Sequence, residues 1–191
     1  MPDPIISPHE RALGQHLASI TAAEPRFIQY WDAEETLSVH IAKLKDWPRD
    51  GVNCCLTVGL TVRPLGFGGD EYEVLAVASK RWIDLAQIVG DAGIHAQARD
   101  VIPDPGMVWY DYMAPTYEGL QVRHLLVTDP LDPALRLTGP PESKPPVRWL
   151  QMIPITDGEL KILEGVGLPQ FLGMLTERNV VVEDFGRMGM T

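Results

Sequence analysis

The stretch "VRWLQMIPITDGELKILEGVGLPQFLGML", residues 147–175, limits the fold more than any other part of the chain. Its opening alternates Val147, Trp149, Gln151 and Ile153 against Arg148, Leu150 and Met152, which predicts a strand over residues 147–155 inside a sheet. Pro154 has no N–H to give to a ladder and is expected to end it. Thr156 suits a helix N-cap, and Glu159 stands three residues on, the spacing of a capping box. Leu160 and Leu163 give the helix that follows an apolar side, and Gly165 and Gly167 stop it. Leu168 and Pro169 begin a second helix, proline being suited to a first turn, with Phe171, Leu172 and Leu175 facing inward. Each step instructs packing. The stretch holds no nucleophile motif and no metal cluster.

The rest of the chain supplies the partners for this unit. "ERALGQHLASIT" places Leu13, His16, Leu17 and Ile20 at helical spacing, and "RFIQYWD" and "LSVHIAKL" read as strands divided from the next by the polar turn "KDWPRDG". "NCCLTVGLTVRPL" is a long β-rich run whose internal Gly59 signals a bulge or a close backbone approach. "GFGGD" breaks the run, and "EYEVLAVAS" is a strand with one polar end. "KRWIDLAQIVGDAGIHA" carries the strongest helical pattern. It predicts a helix over residues 81–90 packed on one sheet face through Trp82, Leu85 and Val89. "LQVRHLLVTDP" is a further strand, and residues 130–146, with seven prolines and glycines, read as a surface loop. This order predicts an α+β fold, a mostly antiparallel sheet with helices packed against it. The division expected is a tail and helix at 1–24, a domain at 25–180 and a C-terminal tail at 181–191.

A chain of 191 residues, 45% hydrophobic, has ample material for a core. No window approaches 18 consecutive apolar residues and the N-terminus does not resemble a secretory signal, so a cytoplasmic location is expected. Cys54 and Cys55 are adjacent, hence on opposite faces of a strand, and are read as reduced thiols. The formal net charge of −10 would repel phosphate backbones, so neither nucleic acid nor membrane is an expected partner. The same charge favours encounter with basic proteins.

Candidate chemistry is sparse. The histidines His9, His16, His40, His95 and His124 are scattered, and none stands at metal-ligand spacing from another His, Cys or Glu. "GFGG" at Gly66–Gly69 lacks the Lys-Ser/Thr pair and helix of a phosphate loop and reads as a hairpin turn. No catalytic residue, cofactor or metal is therefore assigned. The aromatic run "MVWYDYMAPTYEG" has two readings: rings covering one edge of the core, or an interface in an irregular segment.

With these elements in place, the chain resembles the suppressor of fused-like domain family in its bacterial stand-alone form. The resemblance rests on the strand, Pro-Ile-Thr step, acid-x-Glu-Leu helix start and Gly-led second helix of residues 147–175. "CLTVGLTVRPL" is similar to the family's Thr-x-Gly-Leu-Ser strand, with Thr61 in place of serine. "DEYEVLAVAS", "RWIDLAQIVGDAG" and "APTYEGLQVRHLLVTDP" follow in the family's order. The tail "VVEDFGRMGMT" keeps Asp184 and Arg187 of the family's Asp-Pro-x-Arg but has no proline between them. The resemblance implies a protein-binding module without catalytic residues, in bacteria an immunity protein that neutralises a toxin domain. The alternatives are an adaptor or regulator of a secretion or signalling system, or an enzyme with an unrecognised site. The partner-binding residues expected are Trp109, Tyr110, Tyr112 and Tyr117 for affinity, with Asp70, Glu71 and Asp111 for electrostatic steering.

Overall fold

A computed structural model describes residues 7–21, 23–60, 71–113, 115–141, 143 and 146–190. In chain order the elements are α1 (Pro8–Thr21), β1 (Arg26–Trp31), β2 (Ser38–Leu44), β3 (Val52–Val58), β4 (Glu71–Ser79), α2 (Leu85–Arg99), β5 (Val108–Trp109), β6 (Val122–Thr128), β7 (Val147–Thr156), α3 (Asp157–Val166) and α4 (Leu168–Glu177). The "GFGG" run and Thr61 lie outside the described residues.

The strands form one sheet in the order β1-β2-β3-β4-β7-β6-β5. Every pairing is antiparallel except β4 with β7 at its centre. Joining parallel neighbours needs a long crossover, and α2, β5 and β6 supply it. β7 is thus an interior strand, as its apolar alternation implies. Pro154 does not end it, however: the strand runs on to Thr156, and Pro154 pairs opposite Leu125 of β6. Pairing with β4 stops at Gln151. Among the described residues, Pro154 therefore sits where β7 has a neighbour on one side only, a position where a missing N–H is tolerated.

Side-chain alternation sorts the core onto the two faces of the sheet. On one face α2 covers β1–β4, with Leu85, Ile88, Val89, Ala92 and Ala96 against Val39, Ile41, Cys55, Val74, Leu150 and Met152. On the other, α1 sets Leu13 and Leu17 against Leu44, Cys54, Leu56 and Trp149. Beside it α3 and α4 set Leu163, Phe171 and Leu175 against Leu126, Ile153 and Ile155. The two free cysteines are buried on opposite faces. Burial pushes the Cys55 thiol up to about 12 and raises that of Cys54 well above its ordinary value, so both stay protonated. No helix among the described residues is long and apolar enough to cross a membrane.

The structure corrects the expected bounds of α2. The helix starts at Leu85, runs to Arg99 and ends on Asp100 in a left-handed conformation, φ 52°. Trp82 precedes it in a turn, its ring stacked on Phe185 at 5.6 Å. Two glycines explain the closeness of α2 to the sheet. A Cβ at Gly90 would stand 2.4 Å from the Tyr30 ring, and one at Gly93 would stand 3.1 Å from Val39.

The N-terminus of α1 carries a reciprocal cap: Glu10 N donates to Ser7 Oγ, and Ser7 N donates to Glu10 Oε2. Glu10 also takes His40 Nδ1 at 2.7 Å, which ties α1 to β2. A Cβ at Gly59, whose φ is +88°, would stand 2.4 Å from the Glu10 Cγ. The close approach signalled by Gly59 is thus made by a side chain of α1.

Two outcomes follow. Trp149 is buried and its Nε1 donates to Thr57 O at 3.1 Å, so Trp149→Ala should lower stability by about 3–5 kcal/mol in urea denaturation. Burial pushes the Glu10 carboxyl up, but hydrogen bonds from Ser7 and His40 outweigh it and hold the group below its ordinary 4.5. A depressed carboxyl stabilises the fold above its unfolded pKa and loses that contribution as pH falls through the folded one. The stability gap between wild type and Glu10→Gln should therefore shrink as pH falls below 4.5, measured by denaturant melts across an acid series.

Candidate protein-interaction surface

Between α2 and β6 the chain first hydrogen-bonds to β6: Gly106 N donates to Val127 O, and Val127 N donates to Met107 O. β5 prolongs this pairing through Trp109. The chain then turns at Asp111, whose φ of 53° is a conformation an aspartate tolerates better than most residues. The turn is pinned from behind, because Asp111 N donates to His124 Nδ1 at 2.9 Å.

That bond fixes the imidazole. With Nδ1 accepting, Nε2 carries the proton and donates to Asp157 Oδ1 at 2.8 Å. The hydrogen bond from His124, aided by the charge of Arg123, holds the Asp157 carboxyl below its ordinary value, against the opposing effect of desolvation. Arg123 then bridges the two acids, Nη2 to Asp111 Oδ1 at 2.6 Å and Nη1 to Asp157 Oδ2 at 3.7 Å. Its position follows from a local irregularity. β6 shifts register against β7 between Val122 and His124, so Arg123 is the extra residue of a bulge. His124 is buried with both ring nitrogens engaged, so it orients the two acids and presents neither nitrogen outward.

The expected aromatic residues divide sharply. Trp109 is 6% exposed, tilted against Tyr112 at 5.4 Å and His95 at 5.7 Å. Tyr112 is half-buried, edge-on to His95. Tyr117 packs on Trp82 and Phe185, and its Oη accepts Asp84 N. Tyr110 alone of the four points out, 63% exposed, its ring edge-on to His124 at 5.8 Å. Asp111 is exposed beside it. Asp70 lies outside the described residues, and Glu71 opens β4 opposite Val147, with its side chain outside the description. No group of three metal-ligating side chains occurs among the described residues.

Next to Arg123 and Asp157 lies an open cleft of about 310 Å³, bordered also by Gln121, Met188 and Met190. The C-terminal segment forms its wall and is held by a buried ion pair. Arg187 reaches both oxygens of Glu159 at 2.5 and 2.9 Å, and donates to Pro154 O at 2.8 Å. Glu159 in turn accepts Thr156 N and Met190 N, while Thr156 Oγ1 accepts Glu159 N. One carboxylate thus caps α3 and anchors the segment after Phe185. Met188 projects from that segment, 70% exposed. Arg123, His124, Asp157 and Met188 were not among the residues expected from sequence. The bulge that exposes Arg123 and the fold-back that brings Met188 alongside have no local signature.

The sequence model of the Suppressor of fused protein (SUFU) family matches residues 33–187. The Immunity protein YqcF of Bacillus subtilis (strain 168) is 18% identical over 186 residues, 95% of this chain and 97% of that protein. Among solved structures, a SUFU homologue from Neisseria gonorrhoeae FA 1090 superposes with a TM-score of 0.66 at 16% identity, covering 95% of this chain and 96% of its own. The Sufu–Fu complex gives 0.70 at 16% identity, over 95% and 92%. Drosophila Suppressor of Fused gives 0.67 at 14% identity, and there the match spans 95% of this chain but only 51% of the Drosophila chain. At these identities the superpositions establish the fold.

The Glu159–Arg187 pair is checked directly. Arg187→Met leaves a buried carboxylate without its cation and should cost about 3–5 kcal/mol in chemical denaturation. Replacing both partners by apolar residues should cost less than that single change.

Proposed function

The chain belongs to the Suppressor of fused protein family, and on that footing we propose that it is a non-catalytic protein-binding module that neutralises a toxin domain by direct binding. The observation that carries this reading is the outward-facing Tyr110 on a backbone locked from behind, next to Asp111, Arg123, Asp157 and Met188. Tyrosine, arginine and methionine are enriched at interface centres. Here their backing is already ordered, which lowers the entropy cost of docking. Trp109, Tyr112 and Tyr117 act in this reading as the support that keeps Tyr110 in place. The near full-length likeness to an immunity protein supports neutralisation as the outcome of binding.

The net charge of −10 suits a basic toxin such as a nuclease, whose approach an acidic surface accelerates. Asp70, Glu71 and Asp111 are the acids assigned to that steering. Binding and neutralisation take place in the cytoplasm in this reading.

The test pairs the purified chain with the C-terminal toxin domain of a large protein encoded beside it. Co-expression should restore growth, and the two should co-purify. Tyr110→Ala should raise the dissociation rate roughly ten- to thirtyfold, the effect of losing an aromatic hot spot, without changing the melting temperature. Asp70→Asn with Glu71→Gln should mainly lower the association rate and its salt dependence, read by stopped-flow at two ionic strengths. A folded Tyr110→Ala chain that binds like wild type places the interface elsewhere. Binding without growth rescue identifies an adaptor.

A further inference from the structure

β1 is the outer strand at one end of the sheet, and among the described residues it pairs only with β2. Its register with β2 is regular over all its residues, with no bulge. Among the described residues nothing hydrogen-bonds to its outer backbone row. Edge strands are normally blunted by a central lysine, a proline, a bulge or an inward charge. From Phe27 to Trp31 this one carries none of them. Instead it exposes large apolar side chains: Phe27 at 45%, Ile28 at 37% and Trp31 at 47%. Such a strand is a template for another strand.

The charges around β1 say which strand. At its start Arg26 stands directly opposite Lys43 of β2. Like charges so placed repel, and neither has a carboxylate within ion-pair distance among the described residues. Glu24 is the exposed acid near that end, and Lys45 is taken by Asp46 at 3.9 Å. The far end of the hairpin is acidic, with Asp32, Glu34 and Glu35 in and beside the turn. Asp32 accepts Thr36 N and Leu37 N on Oδ1 and Thr36 Oγ1 on Oδ2, which leaves Oδ2 able to accept once more. The hairpin is therefore polar along its length, positive at one end and negative at the other.

We propose that β1 pairs antiparallel with β1 of a second copy of this chain about a two-fold axis through Gln29, joining two sheets into one. In that register Arg26 faces Asp32 of the other copy, Phe27 faces Trp31, Ile28 faces Tyr30 and Gln29 faces itself. Each copy's positive end meets the other's acidic turn, so the charge pattern that leaves Arg26 and Lys43 unrelieved in one chain is neutralised in two. Phe27 and Trp31 lie on the same face as Gln29, so the aromatic pairs flank the axis on one side. Ile28 and Tyr30 close the other side. Direct cross-strand aromatic and opposite-charge pairs are the stabilising unit of a sheet, and this register supplies both twice over by symmetry.

The experiment is sedimentation equilibrium at physiological ionic strength and micromolar concentration. Wild type should sediment at twice the 21.2 kDa chain mass. Gln29→Lys and Gln29→Glu each set like charges against each other on the axis, and each alone should sediment at the single-chain mass. Mixed in equal amounts they should recover the doubled mass, since lysine then faces glutamate. Circular dichroism and thermal melts of the two variants at low concentration should match wild type. A wild-type chain that sediments as a monomer overturns the pairing and leaves the edge to a strand of another protein. A dimer that survives Gln29→Lys, or variants that fail to associate when mixed, overturns the Gln29-centred register.

Discussion

Three hydrophobic clusters meet on one strand. Leu150 and Met152 of β7 belong to the core under α2, Val147 and Trp149 to the core under α1, and Ile153 and Ile155 to the core under α3 and α4. A strand with helices on both faces cannot slip by one residue, because the slip would exchange the two faces along its whole length. That demand fixes the rest. β4 and β6 must flank β7, the parallel β4–β7 pairing requires a crossover, and α2 lies in that crossover over the face left open. Trp149 can sit in such a core because its N–H finds Thr57 O across β4, so that the indole donor is not buried without a partner.

The end of β7 raises a different problem. Beyond Gln151 the strand loses β4, and a backbone edge inside the fold must be covered. Pro154 removes one donor, and Arg187 takes the Pro154 carbonyl. The arginine is neutralised by Glu159, which is already committed to capping α3. A buried ion pair gains little net stability over an apolar replacement. What it supplies here is direction: it draws the C-terminal segment across the start of α3. There a Cβ at Gly189 would stand 2.4 Å from Thr156 Oγ1, so only a glycine fits without a shift. The wall of the cleft beside Asp157 depends on that approach.

Much of this architecture is legible in the sequence where the cause is local. The capping box of Thr156 and Glu159 and the glycine at Gly167, φ 79°, are written in adjacent residues, and the structure realises both. The longer strands are legible from their apolar patterning because each packs a helix on at least one face, whereas the two-residue β5 lies in a segment that reads as irregular. The start of α2 is not legible locally, because Trp82 satisfies helical spacing while its ring belongs to a cluster with Tyr117 and with Phe185, about a hundred residues away. The continuation of β7 past Pro154 is not legible either, because a proline breaks a two-sided ladder and nothing local tells that β4 no longer pairs with this strand there. At the surface, the aromatic content of the segment was visible but its sorting was not. Whether Trp109 or Tyr110 faces out depends on the strand parity set by pairing with β6. The bulge at Arg123 is likewise a property of two strands together.

Strand order sets the proposed surfaces far apart. β1 closes one end of the sheet, and β5, which leads directly into Tyr110, closes the other. Their finish differs in the way the two proposed roles require. β5 is two residues long, too short to template a partner strand, and the chain beyond it presents side chains. β1 has a regular register and presents backbone with apolar flanks. Pairing through β1 would therefore leave both Tyr110 surfaces open at the outer ends of the joined sheet. A dimer of that form would bind two partner domains independently, or one partner that displays two copies, and in the second case would gain avidity without a new contact. The proposed self-association and the proposed partner site would then not compete, because the sheet that joins them also keeps them at opposite edges.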